Sequence, residues 1–153
     1  MISYILMLMD YAAKVMDHYN NPRNAGKLDI ASLNVGTGLI HVSEYIEVVR
    51  IQIEVNPAKN IITDARFKTF GCGSAIAAAS LTTEWLKGKT PEDAFKINNM
   101  DIVEALSLPP SKIHCTILVE DAVKTAINDY RHKNGLEALQ EEALESNYEL
   151  EGM

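Results

Sequence analysis

Two cysteines and one histidine carry the chemistry for which this chain is equipped. Cys72 stands in Phe70-Gly71-Cys72-Gly73-Ser74, on a glycine-flanked turn between a strand pattern and a helix pattern. Cys115 follows His114 in Lys112-Ile113-His114-Cys115, again where a helical pattern begins. Thiolate and imidazole are donors that soft and borderline metal ions prefer. A thiol in the first turn of a helix lies near unsatisfied N–H groups and the positive end of the dipole, which favour the thiolate form. Gly71 and Gly73 let the backbone pass close to a bound ion, and Lys112 adds positive charge beside Cys115. The two places read as separated halves of a soft-metal site, with no third cysteine to complete it. Free cysteines are also often simply buried, and a histidine near a helix start often only bonds backbone, so the positions alone leave structural burial open.

The elements that must position these groups follow from periodicity. Helical spacing from Asp10 places Ala12, Val15, Met16 and Tyr19 on one face, until Asn20-Asn21-Pro22-Arg23-Asn24 stops it. His18 and His132 read as surface residues, and Trp85 and the methionines as packing. A glycine-rich stretch with few periodic signals runs to Gly38. Val49, Ile51, Ile53 and Val55 then alternate with Arg50, Gln52 and Glu54, the pattern of a half-buried strand. Asn56-Pro57-Ala58-Lys59-Asn60 reads as a hairpin connection, and a second strand from Ile62 to Phe70 leads into Cys72. A helix is expected over 74–87, with Ile76, Ala77, Ser80, Leu81, Glu84 and Trp85 on its stripes and Gly88 at its C-terminal cap. Thr90-Pro91-Glu92-Asp93 opens another helix, a short one lies near 101–106, and a long one runs over 111–134, burying Val119, Val123, Ala126, Ile127 and Tyr130. The order implies an α+β fold: a small antiparallel sheet covered on one face by helices, with a long C-terminal helix.

Composition narrows the function classes. At 153 residues, 47% apolar and 23% charged, the chain suits one globular domain, expected over 10–135, with a short apolar extension over 1–9 and an acidic tail over 136–153. A net charge of −7 argues against nucleic acid or an anionic membrane as the main partner. Two cysteines make no disulfide framework, which suits a reducing, cytoplasmic compartment. The apolar start is too short to span a bilayer and lacks the features of a secretory signal; a mitochondrial matrix location would require a leader already removed.

Four segments in order resemble the IscU-type iron–sulfur cluster assembly scaffolds, which are related to the N-terminal domain of NifU. They are Asp17-His18-Tyr19-Asn20-Asn21-Pro22-Arg23-Asn24, Asn34-Val35-Gly36-Thr37-Gly38-Leu39, the run from Asp64 to Ser74, and Leu108-Pro109-Pro110-Ser111-Lys112-Ile113-His114-Cys115. The resemblance covers about 11–134. It implies that Cys72, His114 and Cys115 are ligands of a nascent [2Fe-2S] cluster, of iron or of a zinc ion. It further implies that Cys115 accepts persulfide sulfur from a cysteine desulfurase. Leu108, Pro109, Pro110, Ser111 and Lys112 resemble a segment bound by a specialised Hsp70 chaperone with its J-protein, and acceptor apo-proteins would take the product.

One departure bears on the site. The family carries an Ala-Cys-Gly-Asp loop where this chain has Glu44-Tyr45-Ile46-Glu47, so Tyr45 stands at the first cysteine and Glu47 at the aspartate. Ile40, Val42, Ile46 and Val48 alternate with His41, Ser43, Tyr45 and Glu47, a strand-like run expected to be stiffer than a scaffold loop. A phenol with an ordinary pKa near 10 is a poor replacement for thiolate. Glu47 is the better oxygen donor, on the face of Tyr45 and about 6 to 7 Å along the strand, whereas His41 is about 13 Å away unless the chain folds back. One chain then offers Cys72, His114, Cys115 and Glu47, a set adequate for tetrahedral zinc and weak for a cluster; a homodimer would supply four cysteines. The reading is a scaffold that accepts iron and sulfur and passes them on with weakened retention, without being an enzyme. The alternatives are a degenerate adaptor that binds desulfurase and chaperone without holding a cluster, and a zinc-stabilised domain.

Overall fold

A computed structural model of the chain describes residues 13–42, 44 and 47–140. Helix α1 covers 13–20. Strands β1 (Val35–Val42), β2 (Glu47–Asn56) and β3 (Ile61–Phe70) follow, and then helices α2 (Gly73–Leu86), α3 (Pro91–Phe95), α4 (Asn99–Leu106) and α5 (Ile113–Lys133), the last preceded by a 3-10 turn at Pro110–Lys112. The strands form one antiparallel sheet in the order β1-β2-β3. This is the expected α+β architecture.

The inward row of β2 is continuous: Val49, Ile51 and Ile53 are fully buried and Val55 nearly so. Across the sheet, Ile62, Ala65 and Phe67 of β3 extend the same apolar face. Gln52, on the other face, is also buried, because its side-chain amide accepts from Leu28 N–H at 2.7 Å and donates to Leu28 C=O and Thr37 Oγ1. The stretch around Leu28 thereby roofs part of the outer face. Helix α2 is buried around most of its circumference, through Ala75, Ala77, Ala78, Ala79, Thr82, Thr83 and Leu86, so the two-stripe expectation understated its central place. The expected capping of α3 is present: Thr90 accepts from Asp93 N–H and Pro91 takes the first helical position.

Helix α5 lies on β1 and β2 with Val119, Val123, Ala126, Ile127 and Tyr130 buried. Two glycines permit this approach. A Cβ placed on Gly36 would meet Ala126 O at 2.0 Å, and one on Gly38 would meet Ala122 O at 1.9 Å. Strand β1 accordingly begins at Val35, within the stretch where glycines obscured any period.

Three expectations need correction. The alternation from Ile40 to Val48 does not mark one strand: β1 ends at Val42 and β2 starts at Glu47, paired directly with it, while His41 pairs with Val48. Across the four-residue connection the inward row switches from even positions (Ile40, Val42) to odd ones (Glu47, Val49), and apolar Val48 on the outer face continues the even-numbered run and concealed the turn. Ser43, Tyr45 and Ile46 lie outside the described residues, and so does the expected stiffness of that loop. His18 is buried, only 8% exposed, with Nδ1 2.8 Å from Ser80 Oγ. Helix α1 turns Val15 and His18 inward, leaving Met16 and Tyr19 about half exposed, so Met16, and likewise Met100, are not core packing.

Two outcomes follow. Gly38→Ala forces backbone apart at a helix–strand contact and should cost about 3 kcal/mol or more, or prevent folding, in a urea titration. Burial, with help from the Arg23 charge, holds His18 below its ordinary value of 6.5, against the opposing pull of Glu84 and Asp17. Between the lowered folded value and 6.5 the unfolded chain binds a proton that the folded chain does not, so stability present above 6.5 is lost as pH falls through that window. His18→Gln should therefore lose less urea stability than the wild type between about pH 7.5 and pH 5.5.

Candidate metal centre

The sheet and the two longest helices meet at one end, and there the separated residues come together. Cys72 is the N-cap residue of α2, reached directly from β3. His114 and Cys115 are in the first turn of α5, just after the Pro110–Lys112 turn. Glu47 is the first residue of β2, in line with the inward row of Val49, Ile51 and Ile53. Cys72 Sγ and Cys115 Sγ are 3.2 Å apart. Cys115 Sγ is 3.5 Å from His114 Nε2 and 3.9 Å from Glu47 Oε1. His114 Nε2 is 3.7 Å from Glu47 Oε2.

Ligands around one tetrahedral zinc lie about 3.3 to 3.8 Å apart, given bonds of about 2.0 to 2.3 Å. The observed spacings bracket that range for Glu47, His114 and Cys115, whose donors converge as they would around a single ion, and Cys72 Sγ adjoins this group through its contact with Cys115 Sγ. Among the described residues, Glu47, His114 and Cys115 form a compact ligand group, their donor atoms all within 4.8 Å of one another. Glu47 supplies a second indication. Its Oε2 is buried without a hydrogen-bond partner, an arrangement that costs free energy unless a cation or donor arrives.

Gly71 explains how a glutamate fits. With φ at +154° it adopts a conformation side chains disfavour, and a Cβ there would lie 2.9 Å from Glu47 Cγ. Gly73 plays a different part, since its bare Cα faces the ring of Tyr19. The two glycines thus admit neighbouring side chains rather than the ion itself.

For Cys115 the surroundings run against the helix argument. Cys115 is fully buried, and burial pushes its thiol far up, reinforced by the hydrogen bond to Cys72, the Cys72 charge and the Glu47 carboxylate. Lys112 acts in the favourable direction, but as the smallest influence. Desolvation and neighbouring negative charge outweigh the helix terminus when no metal is present.

Leu108, Pro109, Pro110, Ser111 and Lys112 form the corner between α4 and α5. Leu108 is buried beneath it, and the 3-10 turn itself leaves no residue buried. Tyr45 lies outside the described residues. His41 is exposed and folded back beside Val48.

Residues 10–137 match the NifU-like N-terminal domain. The chain belongs to this family. It is 57% identical over 128 residues to the iron–sulfur cluster assembly scaffold protein IscU of Azotobacter vinelandii, spanning 84% of this chain and 99% of that one. With the scaffold protein IscU of Escherichia coli K12 it shares 56% over 125 residues, 82% and 97% of the respective chains. With iron sulfur cluster assembly protein 1 of Trachipleistophora hominis it shares 54% over 127 residues, 83% and 91% of the chains. The fold is also that of a NifU-like N-terminal protein from Brucella abortus, at TM-score 0.62 and 17% identity over 83% of this chain and 99% of that one.

Exposure separates the two thiols of this NifU-like domain, and burial keeps Cys115 protonated. In metal-free protein Cys72 should react with iodoacetamide well before the buried, protonated Cys115, as peptide mass spectrometry would read. Equal rates would contradict the described burial.

Proposed function

We propose that this chain is an iron–sulfur cluster assembly scaffold, on which iron and sulfur are assembled and from which they are handed to acceptor apo-proteins. One observation supports the reading: Glu47 of β2 and His114 and Cys115 at the start of α5 gather their donor atoms within 4.8 Å of one another, and Cys72 Sγ at the start of α2 lies 3.2 Å from Cys115 Sγ. The names of its relatives, scaffold proteins matched over nearly their whole length, point the same way. Cys72, His114 and Cys115 hold the cargo, with Glu47 as an oxygen donor in the fourth position.

The cargo is iron or a [2Fe-2S] cluster, and zinc satisfies the same donors. Cys115 receives sulfur from a cysteine desulfurase. For that step or for metal binding it must release its proton, which a bound cation favours. The Leu108-Pro109-Pro110-Ser111-Lys112 corner docks a specialised Hsp70 chaperone and its J-protein. A cytoplasmic or mitochondrial matrix site of action belongs to this proposal; no described helix is long and apolar enough to cross a membrane. The adaptor alternative is disfavoured by a ligand group whose buried carboxylate has no other evident use.

Cluster retention should be weak. Iron–sulfur clusters are held by thiolates with imidazole as an occasional substitute, and here one position falls to a carboxylate. On a single chain the cluster is labile; a dimer bridging two chains offers four cysteines.

Protein purified anaerobically with a cysteine desulfurase, iron and cysteine should acquire visible absorption, iron and acid-labile sulfide. Wild type that takes up neither metal nor sulfide would sink the reading. Glu47→Gln should lower zinc affinity by about tenfold or more, in a chelator competition, because a neutral amide is a far poorer ligand. Tyr45→Cys should lengthen the half-life of the cluster, by adding the missing thiolate. A wild-type cluster already robust on a strict monomer would show that retention is not limited by that position.

A further inference from the structure

An open cleft of about 770 Å³ lies between the segment around Ala25 and Gly26, strand β3 and the first turns of α2. Lys27, Arg50 and Lys68 line it, together with Thr69, and no carboxylate does. This is unusual in a chain of net charge −7. Elsewhere several cations are matched: Arg23 with Asp17 at 2.9 Å, Arg66 with Asp64 at 3.3 Å, Arg131 with Glu92 at 3.1 Å. Around the cleft, no carboxylate among the described residues pairs with Lys27, Arg50 or Lys68.

The arrangement carries unmet electrostatic demand. Arg50 and Lys68 are direct cross-strand partners, so two like charges stand opposite one another, an unfavourable pairing when nothing compensates it. Arg50 spends one nitrogen on Gly26 C=O at 3.1 Å, while its Nε is buried without a hydrogen-bond partner; Thr69 Oγ1, on the other face of β3 in the row of Val49, is likewise buried without one. Lys68 holds its ammonium 5.3 Å above the Phe70 ring. The nearest acidic residue along β3, Asp64, is already engaged by Arg66 and Lys87.

We infer that this cleft binds a small oxyanion carrying two or more negative charges, a phosphate ester or a polycarboxylate, with Arg50 and Lys68 as its principal contacts. A guanidinium and an ammonium on adjacent strands suit such a ligand, since charge-assisted hydrogen bonds to oxyanions are among the strongest a protein forms. The volume accommodates more than a lone carboxylate. The cleft shares no residue with the metal centre. It is nonetheless joined to it through β3, since Thr69 precedes Cys72 by three positions.

The test is an amide-resolved NMR titration of the full chain with inorganic phosphate and with citrate, each against sodium chloride at matched ionic strength. One-site saturation with either probe, with shifts centred on Arg50, Lys68 and Thr69, is expected. Arg50→Gln should weaken binding about tenfold or more, and Lys68→Gln severalfold, while Lys59→Gln in the exposed β2–β3 turn should change nothing. Both lysines are exposed, so Lys68→Gln and Lys27→Gln keep the test open if Arg50→Gln proves unstable. Chloride reproducing the shifts, or Lys59→Gln weakening binding as much as Lys68→Gln, would mean mere screening and overturn the proposal. Saturation by a glutamate-rich peptide with no response to phosphate or citrate would overturn it too, in favour of a protein-docking surface.

Discussion

The close seating of α5 on β1 is the contact on which the rest of this molecule depends. Glycines at 36 and 38 let the backbone of α5 at Ala122 and Ala126 come where a methyl group would collide. That contact sets the axial position of the helix, not only its distance from the sheet. Cys115 lies seven residues before Ala122, about 10 Å along the axis at 1.5 Å per residue. A slip of one helical turn, about 5.4 Å, would take Cys115 away from a Cys72 sulfur now 3.2 Å from it. A metal centre built from three distant parts of a chain needs such a fixed reference, and close-packed backbone supplies one that side-chain packing alone would leave adjustable.

The site so assembled is electrostatically uncomfortable when empty. Glu47 and the two thiols are crowded together largely out of water, with Lys112 acting only weakly on Cys115. The protein answers by keeping Cys115 protonated, which a cation would reverse. Burial therefore does two jobs: it shields a reactive thiol, and it makes the free energy of the pocket depend on what occupies it. The rigid neighbours of Glu47 keep it from relaxing outward, since its Cγ is packed against the backbone of Gly71 and its strand mates are core.

Much of this was legible in the residues, and the exceptions are instructive. The β2 row, the β2–β3 hairpin, the Thr90 cap and the buried face of α5 follow directly from period and turn chemistry, and so do the helix starts that carry Cys72 and Cys115. Strand β1 was obscured because its glycines, chosen for contact with α5, carry no hydrophobic signal. The turn between β1 and β2 was obscured because Val48, apolar although it lies on the outer face, continues the even-numbered run of Ile40 and Val42 while the inward row switches to odd positions. His18 was misplaced because polarity is a poor guide when a partner such as Ser80 waits inside; its i, i+3 relation to Val15 was the available clue. Glu47 shows the reverse case, since membership in the Val49–Ile51–Ile53 row could have located it inward from sequence alone.

The donor set also bears on what a scaffold must do. A carrier that bound its cargo with four thiolates at a deep minimum would hold it well and release it slowly. Two thiolates, one imidazole and one carboxylate make a mixed set of softer and harder donors. Zinc, with no geometric preference of its own, tolerates that mixture, while an iron–sulfur cluster is held less well by oxygen. With such a donor set, ligand type rather than shape would distinguish a structural ion from a transient one. If Tyr45 stands where the family has its cysteine and Glu47 is the remaining donor on that side, the balance shifts from storage toward transit.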